Sequence, residues 1–155
     1  MRWLLFIAIV FIVIICFLFW QNLHMPSSTG LINGKLHPCP KRPNCVCCCH
    51  NEPNYIAPLP FSSENILDQI QAFLESHYIA TVVQKTPDYM HVVVTTPLMR
   101  FKDDLEFAID RAKGIVKVRS ASRVGYGDGG VNRVRIEALR AFLENNNASL
   151  QTSSR

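Results

Sequence analysis

An unbroken apolar run near the N-terminus constrains this chain more than any other feature of its sequence. Residues Trp3 to Trp20 carry no charge and consist of Leu, Ile, Val, Phe, Ala, one Cys and the two flanking tryptophans. About 20 apolar residues in a helix cross the roughly 30 Å hydrocarbon core of a bilayer, and tryptophan favours the membrane interface. We therefore predict a transmembrane anchor over residues 1–22.

A cleaved signal peptide is the rival interpretation of this run. The run is longer than a typical signal h-region, no Ala-x-Ala site precedes Met25, and Cys16 follows isoleucines rather than the small residues of a lipoprotein signal. We therefore expect an uncleaved anchor. Arg2 precedes the span and the next cation is Lys35, so the positive-inside rule places the N-terminus in the cytoplasm. The C-terminal domain is then extracytoplasmic, on the periplasmic side in a bacterium.

The rest of the chain has the length of a tether and one small domain. The net charge of +4 is spread over 155 residues without a polybasic tail, so charge does not indicate nucleic acid binding and we expect no such partner. Residues 23–60 are rich in Pro, Ser, Asn and Gly. Recurrent proline forbids a continuous helix, which predicts an irregular tether that packs against the domain.

The tether carries a cysteine cluster, followed by His50. Its members are Cys39, Cys45, Cys47, Cys48 and Cys49. Three interpretations stay open: a disulfide, with Cys39–Cys45 as the candidate pair outside the cytoplasm; a metal site, for which the weak ligand set is Cys45, Cys47, Cys49 and His50; and no role. Three adjacent cysteines fit zinc spacing poorly, although copper(I) is harder to exclude. We predict no metal and no cofactor.

Residues 61–147 are predicted to form an α+β domain that begins with a helix. This helix starts near Glu64, where Ser62 or Ser63 can cap it, and ends near His77. Its apolar face, at helical spacing, consists of Ile66, Leu67, Ile70, Phe73 and Leu74.

The domain is expected to end with a second helix that begins near Val131. Its predicted apolar stripe consists of Val131, Val134, Ala138, Leu139, Phe142 and Leu143. We expect Asn145–Asn147 to stop this helix and residues 148–155 to form a disordered tail.

Four strands are predicted between the two helices, and their short links favour an antiparallel meander. In the last hairpin, pairing of Asp110 with Ile115 would place Phe107 opposite Val118, and Glu106 opposite Arg119 on the outer face. The predicted fold is a transmembrane helix followed by a four-stranded antiparallel sheet with two helices on one face, in the order α-β-β-β-β-α. The outer face of the sheet is predicted to be polar.

The stretch Val116 to Arg135 combines a strand, a glycine-rich turn and the start of the last helix. Residues 125–130 satisfy G-x-G-x-x-G, but no strand follows the helix, so we reject a dinucleotide site. Arginines that converge on the helix N-terminus would instead form a pocket for an anionic group. The candidate ligand-binding residues are Arg119, Ser120, Ser122, Arg123, Asp128, Asn132, Arg133, Asp103 and Asp104.

One other interpretation of these residues stays open. Asp128 could accept the free N–H groups itself and act as a structural cap. No histidine lies near Ser120 or Ser122 in the sequence, so we assign no catalytic residue.

Several motifs resemble the DUF1499 family, whose members are uncharacterised bacterial envelope and plastid proteins, often with an N-terminal anchor or lipid signal. The motifs are Pro43-Asn-Cys-Val46, Tyr55-Ile-Ala-Pro-Leu59, Phe101-Lys-Asp-Asp-Leu-Glu-Phe107, Arg119-Ser-Ala-Ser-Arg-Val-Gly-Tyr126 and Gly130-Val-Asn-Arg133. The resemblance covers residues 43–143 and implies no activity. The family usually has Ser and Leu at positions 127 and 129, where this chain has glycine, and Ser-Ser in place of Cys47 and Cys48.

Together these features predict a single-pass membrane protein whose extracytoplasmic domain binds an anionic small molecule, a lipid headgroup or an envelope protein. One alternative is a hydrolase that uses Asp103, Asp104 or Asp128 as acid–base groups or metal ligands. The other is a purely structural envelope protein whose charges neutralise each other.

Overall fold

The computed structural model describes residues 2–49, 53–61 and 63–153. The helices in these ranges are α1 (Arg2–Leu23), α2 (Ile66–His77) and α3 (Val131–Ser153). The strands are β1 (Leu31–Ile32), β2 (Lys35–Leu36), β3 (Cys45–Cys47), β4 (Leu59–Pro60), β5 (Ile79–Lys85), β6 (Tyr89–Thr95), β7 (Lys102–Asp110) and β8 (Ile115–Ser122). The α+β class is confirmed.

The apolar run forms α1. Within the described residues, α1 is the one helix long and apolar enough to cross a membrane. A membrane span and a signal sequence share this length and composition. The structure therefore shows a helix that is compatible with a membrane anchor.

The main sheet has six strands, so the predicted count of four is wrong. Strands β5 to β8 form the predicted antiparallel meander, and β3 and β4 from the tether both pair with the outer edge of β8. An unpaired edge exposes a row of backbone N–H and C=O groups, which the tether here satisfies. Strands of two or three residues between prolines are too short to show alternation in the sequence.

The last hairpin has the predicted register. Asp110 pairs with Ile115, Phe107 with Val118, and Glu106 with Arg119. Side chains alternate between the two faces of a strand, so this register places Phe107 and Val118 on the face that packs against α2 and α3.

Helix α2 buries the predicted apolar face but starts two residues later than expected. Its buried residues are Ile66, Leu67, Ile70, Phe73 and Leu74. The N-cap residue is Asn65, whose side chain makes no capping hydrogen bond. Ser63 donates a hydrogen bond to Asn65 Oδ1 at 2.6 Å instead of capping the helix; Ser62 lies outside the described residues.

Helix α3 begins at Val131 as predicted but differs in its buried face and in its end. Its fully buried apolar residues are Ile136, Leu139 and Leu143. Val131 and Val134 are 47% and 68% exposed, because Asn132 and Arg135 face the sheet and hydrogen bond there. The helix continues to Ser153, since asparagine is a weak helix former but no helix breaker.

Substitution of Leu139 by alanine tests this packing. Leu139 is fully buried, so Leu139→Ala should lower the free energy of unfolding by about 2–5 kcal/mol. Val134→Ala is the matched control and should change it by less than about 0.5 kcal/mol. Both values come from denaturant midpoints of the full chain in mild detergent, and equal effects would contradict the observed orientation of α3.

Candidate functional site

The predicted site residues lie on two faces of the sheet, because alternate residues of a strand point in opposite directions. Arg119 and Arg123 lie on the face away from the helices, whereas Arg133 lies on α3 and donates to the carbonyl oxygens of Pro53 at 3.0 Å and Tyr55 at 2.7 Å. The predicted convergence of these three arginines on the start of α3 is therefore wrong.

The outer face of the sheet is polar, as predicted, but the tether buries it. Glu106 is fully buried and stands at the centre of one cluster. It accepts hydrogen bonds from Arg119 Nη1 at 2.9 Å, from the Tyr89 hydroxyl at 2.8 Å and from the Gly30 backbone amide at 2.7 Å. Burial and the hydrogen bond to Glu106 raise the pKa of Tyr89 well above its usual range, so this hydroxyl stays a donor.

Asp104 holds the second cluster on this face. Arg123 donates two hydrogen bonds to its carboxylate, from Nε at 2.8 Å and from Nη2 at 2.7 Å, and His91 Nε2 lies 2.8 Å from Asp104 Oδ1. Burial alone would raise the pKa of Asp104, but hydrogen bonds and charge from Arg123 and His91 outweigh it and hold this pKa below its usual value. The Glu106–Arg119 and Asp104–Arg123 pairs are thus both buried, and removal of one partner from a buried pair leaves a costly uncompensated charge.

The end of α1 is attached to the same region. Asn22 is buried, and its side chain donates to the Arg100 carbonyl and accepts from the Lys102 amide, both at 2.8 Å. Arg123 Nη1 donates to the Asn22 carbonyl at 3.3 Å. The apolar helix thus ends in direct contact with the domain.

The face toward α3 carries a separate polar cluster around Asn132, which is fully buried. Its side chain accepts from Ser120 Oγ at 2.5 Å and from Arg135 Nη1 at 3.1 Å, and donates to Ser122 Oγ at 3.0 Å. Arg135 also pairs with Asp103 at 2.8 Å. These residues connect α3 to β7 and β8.

Asp128 caps α3. Its carboxylate accepts from the backbone amides of Gly130 and Asn132, both at 2.9 Å. Positive φ angles at Gly129 and Gly130 allow the chain to turn back toward this carboxylate. The first free N–H groups of the helix are therefore occupied by the chain itself.

A cavity of about 220 Å³ lies between the tether and the outer face of the sheet. We call it the arginine cavity; it is lined by Pro26, Ser28, Pro40, Arg42, Asn44, Asp104, Arg119, Ala121, Ser122 and Arg123. The Nε of Arg119 and the Oδ1 of Asn44 are buried without a hydrogen-bond partner among the described residues. Arg42 is exposed and has no ion pair in the described part of the chain.

Four cysteines of the tether form two disulfides, Cys39–Cys45 and Cys47–Cys49. Cys48 is a free, half-buried thiol. Three members of the weak metal set are thus bonded as disulfides, and His50 lies outside the described residues. Within residues 2–49, 53–61 and 63–153, no cluster of three or more His, Cys, Asp or Glu could hold a metal ion.

Several members of these clusters were not predicted as site residues. They are His91, Tyr89, Asn22 and Arg135. His91 and Tyr89 occupy alternate positions of β6, on the same face as Glu106, so alternation could have found them. Nothing local in the sequence marks Asn22, which is buried by residues far along the chain.

A family model described as a protein of unknown function, DUF1499, matches residues 35–143. The match covers the tether cysteines, the meander and most of α3, and it confirms the resemblance seen in the sequence motifs. No curated protein and no solved structure matches the chain.

Replacement of Asp104 by asparagine tests the buried ion pair. Asp104→Asn leaves Arg123 buried without its counter-charge and should cost about 3–5 kcal/mol of stability. Asp68→Asn, which removes a pair at the exposed surface, should leave the unfolding midpoint nearly unchanged.

The pH dependence gives a second readout of the same variant. Because the folded-state pKa of Asp104 is depressed, its contribution is fully present above the ordinary value of 3.8 and is lost as pH falls through the folded-state pKa. Unfolding midpoints from about pH 7 to about pH 3 should therefore fall less steeply in Asp104→Asn than in the unaltered protein. Parallel curves would contradict the pairing.

Proposed function

Because the chain belongs to the DUF1499 family of proteins of unknown function, we propose its function from its own geometry: it is a membrane-anchored protein whose domain binds an anionic group in the arginine cavity. The observation that carries this proposal is the lining of that cavity. Arg42, Arg119 and Arg123 all contribute to it, and Asp104 is the single carboxylate among the described residues that line it.

The donors in the arginine cavity exceed the acceptors that the described residues supply. A guanidinium carries five N–H groups. Arg119 hydrogen bonds only through Nη1 to Glu106 and Nη2 to Ser28, and its Nε has no acceptor in the described structure. A buried donor without an acceptor is costly, and a phosphate or carboxylate oxygen is the acceptor that a guanidinium binds most strongly.

The position of the cavity favours an anion at the membrane surface. Pro26 and Ser28 line it a few residues beyond the end of α1, and Arg123 contacts both the Asn22 carbonyl and Asp104. In a membrane-anchored protein these contacts hold the cavity close to the headgroup layer. The shared ligand chemistry is a phosphate oxyanion, either on a lipid headgroup or free in solution.

The contacts of Asn22 also support an uncleaved anchor. Removal of α1 as a signal peptide would take away a buried side chain that hydrogen bonds to Arg100 and Lys102. The neighbouring loop exposes Leu98 to 89% and Met99 to 62%. Apolar side chains exposed next to the end of a span suit the membrane interface, with the domain on the extracytoplasmic side as the charge distribution of the sequence predicts.

A structural role is the second candidate, and the pairing of the charges favours it. Arg119 pairs with Glu106, Arg123 with Asp104, and Arg135 with Asp103. The enzyme alternative relies on Asp103, Asp104 or Asp128, and each of these carboxylates is already engaged by arginine or by backbone amides.

A variant without the Arg42 charge distinguishes the proposed binding role from a purely structural role. The full chain in nanodiscs should be stabilised against heat by phosphatidylglycerol, or by inorganic phosphate in phosphatidylcholine discs, because a ligand that binds only the folded state raises its stability. Arg42→Gln should abolish that stabilisation and keep the ligand-free midpoint, since Arg42 is exposed and unpaired within the described residues.

Lys41→Gln is the matched control: it removes an adjacent exposed charge outside the cavity lining and should retain the ligand-dependent shift. Response to phosphate identifies a free anion as ligand, and response to phosphatidylglycerol alone identifies a headgroup. No ligand-dependent shift in the unaltered protein would leave the structural role as the better account.

The position of the Leu98–Met99 loop gives a further prediction. In a background with phenylalanine at Trp3 and Trp20, a Leu98→Trp variant should be quenched by lipids brominated near the headgroup, because the Asn22 contacts hold this loop at the end of α1. Ala112→Trp, also at an exposed position but in the turn at the opposite end of β7, should be quenched less. Equal quenching of both would contradict this orientation of the domain.

A further inference from the structure

The Cys47–Cys49 disulfide lies beside a second cavity, which is separate from the arginine cavity. This cavity, here called the lysine cavity, has a volume of about 280 Å³ and is lined by Lys35, Leu36, Cys48, Cys49, Pro58, Lys113, Ile115 and Lys117. Three lysines therefore line the same cavity as Cys49. We propose that Cys47–Cys49 is a thiol–disulfide exchange site for small thiols that carry carboxylates.

The two sulfur atoms of this disulfide have different environments. Cys49 is exposed, whereas Cys47 is fully buried. Exchange requires a thiolate to reach one sulfur in line with the bond, so access decides which sulfur is attacked. An incoming thiolate therefore meets Cys49 Sγ, and Cys47 is the leaving group.

The backbone stabilises that leaving group. The amide N–H of Cys49 points at Cys47 Sγ, with an N···S distance of 3.2 Å. A hydrogen bond to a sulfur stabilises its thiolate more than its thiol, and a better leaving thiolate accelerates exchange.

The lysines select an anionic thiol. Lys117 pairs with Asp110 at 2.7 Å, whereas Lys35 and Lys113 have no ion pair among the described residues, so their charges act on whatever enters the cavity. Cys48 lies in the same cavity, but burial raises the pKa of its thiol despite the nearby Lys117. At neutral pH Cys48 therefore remains a thiol and competes weakly as a nucleophile.

The small thiol is the only co-reactant that this exchange requires, because its oxidation supplies the two electrons that reduce the Cys47–Cys49 disulfide. The small thiol loses its proton to solvent and attacks Cys49 Sγ; the new S–S bond forms, the Cys47–Cys49 bond breaks, and Cys47 takes the electron pair and then a proton. A second small thiolate attacks the outer sulfur of this mixed disulfide and releases Cys49 as a thiolate, which is protonated. In sum, two small thiols are oxidised to their disulfide and Cys47 and Cys49 are reduced; the small disulfide reverses the reaction.

The other disulfide is an internal control. Cys39 and Cys45 are 7% and 1% exposed and pack with Ala121 in a buried cluster. Neither residue lines the lysine cavity. A thiol that reaches Cys49 in the folded protein should leave Cys39–Cys45 closed.

The test treats the folded full chain in mild detergent with reduced glutathione, which carries carboxylates, and separately with neutral 2-mercaptoethanol. Non-reducing peptide mapping by mass spectrometry should show the glutathione adduct on Cys49, with Cys39–Cys45 intact. A double variant, Lys35→Gln with Lys113→Gln, should slow the glutathione reaction about threefold or more and slow the 2-mercaptoethanol reaction less, because both reagents attack as thiolates but only the glutathione thiolate also carries carboxylates. Lys41→Gln should change neither rate.

Three results would overturn the proposal. They are a Cys47–Cys49 bond that stays closed while the protein is folded, opening of Cys39–Cys45 at the same rate as Cys47–Cys49, and equal slowing of the two thiol reactions by the lysine variant. The Cys49→Ser variant supplies a further check: it has no Cys47–Cys49 bond for a thiolate to open, so reduced glutathione should form no adduct on Cys47 or Cys48. Because these readouts do not depend on an anion in the arginine cavity, either proposal can fail alone.

Discussion

Two buried carboxylates, Asp104 and Glu106, hold the rest of the structure in place. They lie on the face of β7 that turns away from the helices, and each would be unstable under the tether without partners, because removing a charge from water costs several kcal/mol. Glu106 accepts hydrogen bonds from a side chain on β8, a side chain on β6 and a backbone amide of the tether. Asp104 accepts hydrogen bonds from the guanidinium of Arg123 and lies within hydrogen-bonding distance of the His91 ring. Replacement of such pairs by apolar residues is often neutral for stability. What the pairs supply is a fixed position for the tether: it can satisfy Glu106 and Arg119 only where the Gly30 amide and the Ser28 hydroxyl reach this face.

The same requirement explains why the tether is ordered. It is fixed at its start by Asn22, in its middle by Gly30 and Ser28, and at its end by the pairing of β3 with β8. The buried Cys39–Cys45 disulfide closes the loop that precedes β3, which reduces the conformational freedom that ordering must overcome. Two of these contacts are made to the buried charges of Glu106 and Arg119, so the segment cannot leave the polar face without exposing at least one buried charge. The proline-rich tether therefore forms one layer of the domain.

The sequence was sufficient for features that depend on local pattern. The meander, the register of the last hairpin and the buried face of α2 all follow from alternation or helical spacing, and the structure has them. It was insufficient for features whose structure depends on contacts between residues far apart in the chain. Strands β3 and β4 form because they can pair with the free edge of β8, and the orientation of α3 toward the sheet depends on the Asp103–Arg135 pair, which apolar periodicity cannot detect.

The site prediction failed for a related reason. Arg119, Arg123 and Arg133 are close in the sequence, which suggested that they converge, but Arg119 and Arg123 lie on the outer face of the sheet and Arg133 lies on α3. A ligand-binding role for Arg119 and Arg123 stays a proposal, and Arg133 lies outside the arginine cavity.

The chemistry of the domain consequently belongs to the tether more than to the meander. One segment, residues 40–49, contributes Pro40, Arg42 and Asn44 to the arginine cavity and Cys48 and Cys49 to the lysine cavity. The strand between these two groups, β3, is held against β8 by backbone pairing and by the buried side chains of Cys45, Val46 and Cys47. Arg119 and Arg123 pair with Glu106 and Asp104 beneath the tether, whereas Arg42, Lys35 and Lys113, which line the two cavities, have no ion pair in the described chain. An anionic ligand would therefore meet this layer first, and the paired charges beneath it would keep the layer in position.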